Sequence, residues 1–300
     1  MQKGSKLFLE TYLNNWCEIT QLSIRFLSRF VYRGQACSDW KLSSSLERLV
    51  KRYHPEPLGF STKAYFYEQD MLKDFMWKYP IYEKVNIPGS NEIIEWLSLM
   101  QHYGSPTRMV DFTYSPYVAL FMALDNSDSP YSAIWCLNKN VCKNPFFLEF
   151  YEETGQNSLG ADSLDKIIYK KANNTLNGNK EYNTLKIFLV RPNRINERLN
   201  RQQGLFAIPN DISKSFEEHV NSLLNDAVPQ EIPFCNLVEY SNTSNGKHGQ
   251  EDIALIKIKI PSKLRYDIAK SLEQMNITAE TMYPGIEGLA KSMAIPRFDF

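Results

Sequence analysis

Four short clusters of this 300-residue chain carry side chains that can do chemistry. The densest spans residues 101–124, QHYGSPTRMVDFTYSPYVALFMAL, and holds His102, Tyr103, Thr107, Arg108, Asp111 and Thr113. An imidazole can move protons near neutral pH. A guanidinium can grip a phosphate or carboxylate through paired hydrogen bonds. A carboxylate can act as a base or face developing positive charge. A blander reading stands beside this one: Arg108 and Asp111 pair with each other or with the backbone, as buried charges normally must.

The second cluster is Tyr32-Arg33-Gly34-Gln35. Arginine followed by glycine suits an anion, because glycine lets a ligand approach the backbone closely. It equally suits a structural arginine that satisfies loop carbonyls. The third, Arg201-Gln202-Gln203-Gly204-Leu205-Phe206, offers amides that both donate and accept, which suits a sugar hydroxyl but supplies no base. A helix stopped at Gly204 would explain the glycine but not the two glutamines. The fourth, Tyr283-Pro284-Gly285-Ile286-Glu287-Gly288, sets a carboxylate at the start of a last helix, where it either complements the helix dipole or serves a site.

The elements around these clusters are legible to different degrees. Ser115-Pro116 reads as an N-cap followed by a first-turn proline. Val118, Leu120, Phe121 and Leu124 form an apolar stripe behind it, with Ala119 and Ala123 small enough for close packing. A short strand, about residues 108–112, precedes that cap, so the polar groups fall where a strand ends and a buried helix begins. Residues 6–29 have helical apolar spacing and read as a helical lead-in. A β-like run covers 30–32, and helices are expected at 45–53, 61–77 and 92–101. Strands are expected at 132–137, 187–190, 204–208 and 253–260, the last alternating isoleucine with lysine. Residues 138–185 are harder to read, with one helix expected at 163–171. Helical turns or helices are expected at 196–202, 211–225 and 263–275, and SNTSNGKHGQ at 241–250 reads as a flexible surface loop. Short strands mixed with helices, without steady βαβ alternation, indicate an α+β fold: small mixed or antiparallel sheets flanked by helices.

Composition narrows the partners. Thirty-four basic and 34 acidic side chains cancel, so the whole chain makes no electrostatic case for nucleic acid or an anionic membrane, although a local basic groove stays open. No apolar run approaches the roughly 20 residues that cross a bilayer, and the first ten residues lack a signal-peptide apolar region. Five scattered cysteines without a CxxC pair argue for a reducing compartment. The expectation is a cytoplasmic protein with no membrane association and no metal.

Four separated blocks resemble the FRG-domain family, named for its Phe/Tyr-Arg-Gly motif: VYRGQACSDWKLSSSLER (31–48), QHYGSPTRMVDFTYSPYVALFMAL (101–124), RQQGLFAI (201–208) and MYPGIEGLAKSM (282–293). The resemblance implies one FRG-like domain over 1–300, with a lead-in at 1–29, a variable insertion at 138–185 and the loop at 241–250. The family occurs mainly in bacteria and phages. Its block order is similar to that of ADP-ribosyltransferases, which implies a transferase-like core and NAD as substrate, acted on by an ADP-ribosyltransferase or NAD glycohydrolase in a toxin or anti-phage role. Carried over, Arg33 would hold an NAD phosphate or ribose, flanked by Tyr32 and Gly34. Thr107 and Thr113 would fill the Ser/Thr role around Asp111. Gln203 would fall where transferases keep a glutamate, so Asp111 or Glu287 would have to supply the carboxylate. His102, Tyr103, Arg108, Gln202 and Phe206 would line the nucleotide. Alternatives are a nucleotide-binding or nucleic-acid-binding module without turnover, and a protein-interaction surface built on the aromatics of 65–77.

Overall fold

The computed structural model describes residues 6–125, 127–156, 158–178, 184–242 and 253–293. Strands β1 (Leu7–Tyr12), β2 (Phe30–Gln35), β3 (Val110–Thr113), β4 (Tyr131–Asn138), β5 (Ile187–Val190), β6 (Gly204–Pro209), β7 (Pro229–Glu231) and β8 (Ile253–Pro261) form a single sheet. Their order is β5-β6-β3-β2-β4-β8-β1-β7. β1 runs parallel to both β7 and β8, and the other neighbours are antiparallel. The fold is thus α+β, but the strands make one mixed sheet of eight rather than several small ones.

The helices before β4 are α1 (Cys17–Thr20), α2 (Ile24–Leu27), α3 (Ser45–Tyr53), α4 (Pro57–Tyr82), α5 (Ile93–His102) and α6 (Pro116–Leu124). Those after it are α7 (Lys139–Thr154), α8 (Ala161–Leu176), α9 (Glu197–Arg201), α10 (Phe216–Leu224), α11 (Phe234–Asn242), α12 (Arg265–Gln274), α13 (Ala279–Met282) and α14 (Ile286–Ser292). Strand alternation splits the core. On one face, Tyr32, Ile134, Cys136 and Ile258 pack under α6 and α12. On the same face, farther along, Phe188, Val190, Phe206 and Ile208 pack under α4, α5 and α8. The opposite face, with Val31, Phe112, Leu137 and Leu205, is covered partly by Phe216, Val220 and Leu223 of α10.

Several local expectations change. The helix expected over 6–29 is instead β1 followed by two single-turn helices. Residues 7–12 pair along six positions with β8, and Leu9 and Phe8 turn to opposite apolar clusters. Nonlocal pairing outweighs the local helical spacing there. Residues 138–178 are mostly helical, because α7 continues through Pro145 and α8 is longer than expected. α4 begins earlier and ends later than 61–77 and contains Pro80 near its end. The expected loop at 241–250 lies, from 243 on, outside the described residues. Among the described residues, no helix is long and apolar enough to cross a membrane.

Candidate functional site

The end of α6 is built as its sequence suggests. The Ser115 hydroxyl accepts a hydrogen bond from Val118 N at 3.3 Å, and Pro116 occupies the first turn. Ala119 and Ala123 let α6 lie almost on the backbone of β2. A Cβ added to Gly34 would stand 2.1 Å from Ala119 O and 2.5 Å from Ala123 N. Only glycine fits beneath that helix, so the residue after Arg33 is fixed by packing as well as by any ligand. Tyr32 beside it is 1% exposed and donates its hydroxyl to Leu27 O at 2.6 Å.

Arg33 occupies the edge of this close contact. Its Nη1 donates to Asp111 O at 2.8 Å, its Nε is buried without a partner, and it makes no ion pair among the described residues. Burial pushes its pKa below the ordinary guanidinium value, Asp111 opposes that, and Arg48 adds to it. Next door, one Asp111 carboxylate oxygen accepts from Gln101 Nε2 at 2.6 Å. The Gln101 carbonyl oxygen accepts from the Thr107 hydroxyl, and that hydroxyl in turn accepts Met109 N at 3.2 Å. Thr107 is fully buried. Its role is to orient Gln101, which orients Asp111, while the Asp111 side chain stays exposed.

These groups border a cavity of about 330 Å³, within the ~300–1,000 Å³ range of small-molecule sites. It collects most of the candidate residues. β2 supplies Tyr32, Arg33 and Gly34, β3 supplies Asp111 and Thr113, and α5 supplies His102. Gln202, just past α9, and Phe206 of β6 complete the set. Thr113 ties two walls together: its hydroxyl donates to Gln202 O at 2.7 Å and accepts from Ser115 N at 3.0 Å. Gln202 donates Nε2 to Met282 O at 3.1 Å. The His102 imidazole makes no hydrogen bond among the described residues. Burial and then Arg198 push its pKa down, with Glu287 opposing, which favours the neutral imidazole.

Five candidates do not line the cavity. Thr107 acts from behind Gln101, as described. Arg108 does not pair with Asp111 and faces no ligand. Its Nε lies 2.9 and 2.8 Å from the two Glu68 carboxylate oxygens, with Nη2 on the same group, and both residues are buried. Tyr103 is exposed next to His102, 4.9 Å between ring centres. Gln203 sits on an exposed turn with φ of 47°, where its carbonyl accepts Tyr114 N. Glu287 is exposed on α14 and pairs with Lys291 at 3.0 Å, which holds its carboxyl below the usual range.

The cavity is also lined by Ser98, Gln101, Asp125, Asn196 and Arg198, none of them among the candidates read from sequence, and by Tyr283 of the fourth cluster. Arg198 had a usable signal, since it precedes Gln202 by four residues on one helix face. Its guanidinium lies 4.9 Å over the Tyr283 ring and has no carboxylate partner among the described residues. Tyr283 also carries the Lys291 ammonium 3.6 Å over its ring, and its hydroxyl donates to Asp125 at 2.7 Å. Burial and the Asp125 bond push the Tyr283 pKa up. No group of three or more His, Cys, Asp or Glu side chains among the described residues could hold a metal ion.

Residues 28–132 match the FRG domain model. That stretch, under half of the chain, takes in β2, β3 and α6 with Tyr32, Arg33, Gly34, His102 and Asp111. Gln202, Phe206 and Tyr283 lie beyond it in sequence yet face the same cavity. No curated protein and no solved structure matches the chain.

Proposed function

We propose that this cavity binds a nucleotide through its phosphates and, when the nucleotide is NAD, breaks the bond between nicotinamide and ribose. What carries the reading is that two guanidiniums without carboxylate partners, Arg33 and Arg198, share one cavity with the Asp111 carboxylate. Arginines in that state favour phosphate. A carboxylate held on one oxygen by Gln101 leaves its other oxygen to face positive charge growing on the ribose. The C1′–N bond breaks with its electron pair going to the nicotinamide nitrogen, and nicotinamide leaves neutral. Water, or a nucleophile on a protein or nucleic-acid target, then bonds to C1′ and gives up a proton, which neutral His102 could accept. In a bacterial cell this chemistry would suit a toxin or an anti-phage effector.

The test is release of nicotinamide from NAD by the purified chain, with and without cell extract. Asp111→Asn is expected to lower turnover on the order of 100-fold, and Arg33→Ala to raise KM. No release by the unaltered chain under either condition would sink the catalytic reading. A second reading, binding without cleavage, is favoured by Gln202, which presents a neutral amide to the cavity. It predicts a nucleotide Kd that is lost in Arg33→Ala, with no nicotinamide release.

A further inference from the structure

A second cavity, about 280 Å³, is lined by Lys139, Lys143, Lys166 and Arg191 around the ring of Tyr114, with Asp165 as its one carboxylate. Asp165 pairs with Lys143. Lys139, Lys166 and Arg191 have no carboxylate partner among the described residues. The Lys139 ammonium lies 5.6 Å and the Arg191 guanidinium 5.9 Å from the Tyr114 ring centre. This cavity is distinct from the first. Along β6, Gly204 and Phe206 line the first cavity and Leu205 lines the second, the alternation that sends successive strand residues to opposite faces.

From this arrangement we propose that the second cavity is an anion site for a small ligand carrying a di- or triphosphate group. Four cations converging on one concavity with a single carboxylate repel one another, and a multiply charged anion relieves that repulsion. Burial first, and then the neighbouring Lys143, push the Lys139 pKa down while Asp165 opposes them; the Lys143 share is the same repulsion seen from one residue. The cations surround one compact hollow and do not run as a stripe across the surface, so the shape favours a small polyanion over a nucleic-acid strand. The Tyr114 ring orders two of the cations by cation–π contact. Tyr114 follows Thr113, and its backbone N–H donates to the Gln203 carbonyl at 3.1 Å. A ligand here would therefore touch a residue whose backbone is bonded to the turn that carries Gln202 into the first cavity.

The test is titration calorimetry of the full chain with inorganic triphosphate and, separately, with ATP. Both are run in protein carrying Arg33→Ala and Arg198→Ala, so that the first cavity contributes little. The expected result is one-to-one binding that weakens in 0.5 M salt and falls on the order of tenfold when Lys166→Gln and Arg191→Gln are added. Both positions are exposed, so these variants should keep the parent melting temperature. ATP binding more tightly than triphosphate would identify a nucleotide as the natural source, and equal affinities would identify the phosphate group alone. The proposal is overturned if millimolar triphosphate gives no heat, or if Lys166→Gln/Arg191→Gln binds as the parent does. It also fails if only a single-stranded RNA oligonucleotide binds.

Discussion

Arg108 and Glu68 offer a sharp test of how this chain divides charge between structure and site. They are 4% and 1% exposed, joined through three nitrogen–oxygen contacts, and 40 residues apart. Arg108→Met leaves a carboxylate buried with no cation. Removing one member of such a pair costs about 3–5 kcal/mol, a large share of the roughly 5–15 kcal/mol that holds a domain folded. On heating, the loss would lower Tm by on the order of 10 °C. Glu68→Leu strands the guanidinium and should cost a similar amount. Installing both changes removes both charges from an apolar setting, so the double variant should unfold within about 1 kcal/mol of the parent, or prove more stable than it. The measurement is urea unfolding of the four proteins, read as a double-mutant cycle. A single variant costing under about 1 kcal/mol, or a double variant costing the sum of the singles, would refute the reasoning. Nucleotide binding in the double variant is the complementary readout. If the fold holds but binding disappears, Arg108 belongs to the site after all.

Three other perturbations follow from the same geometry. Gly34→Ala must separate β2 from α6 and is expected to cost about 1–3 kcal/mol as overpacking, so a melting temperature equal to the parent's would mean that α6 lies farther away. Thr107→Val leaves Met109 N and the Gln101 carbonyl oxygen without their shared hydroxyl, at about 1–3 kcal/mol; Thr107→Ser should restore most of it, and failure to do so would point to the methyl group. His219 donates Nδ1–H to Ser215 O at 2.8 Å and accepts Asp211 N at Nε2, 3.2 Å away, so its neutral form is the bonded one. Burial drives its folded pKa below the unfolded value, ahead of the opposing Ser215, Asp211 and Glu218 and the reinforcing Arg108. The unfolded chain therefore takes the proton first, and stability should fall as pH drops below about 6.5. In His219→Gln that slope should shrink, leaving the share due to His102, and an unchanged slope between pH 7.5 and 5.5 would exclude His219 as its source.

What could be read from the sequence was mostly local. Ser115-Pro116 and Ile187–Val190 fold as their residues suggest, because a cap and a short buried strand are written in adjacent positions. The isoleucine–lysine alternation of β8 was also legible, though Lys257 and Lys259 are not simply wet. They bracket Glu10 of β1 at 3.3 and 3.1 Å. β1 itself was hidden, since its identity depends on a strand some 245 positions later. Arg108 misled for the same reason: its partner lies in an aromatic-rich helix, and no spacing rule connects the two. Within the site, Arg33, Asp111 and Gln202 were findable from residue type, whereas Asp125 and Tyr283 acquire their meaning only from each other.

The position of the first cavity follows from how the sheet is covered. One face carries two separate apolar clusters, one under α6 and α12 and one under α4, α5 and α8. A helix can cover only the strands it crosses, and neither group closes completely over the junction of β2, β3 and β6. Tyr32 and Ala119 come to the cavity from the first cluster, and Leu199 and Phe206 from the second. At such a seam the buried, unpartnered Nε of Arg33 stands beside an exposed carboxylate, a desolvation cost that an anion bound to the guanidinium would offset. Gly34 holds α6 down on one side, and the Thr113–Gln202 bond holds α9 on the other. The width of the opening is therefore set by one close backbone contact and one side-chain-to-backbone hydrogen bond. That makes Gly34→Ala a test of function as well as of packing. Pushing α6 outward should weaken nucleotide binding more than the loss of stability alone predicts, while an unaltered Kd would mean that α6 does not set the width.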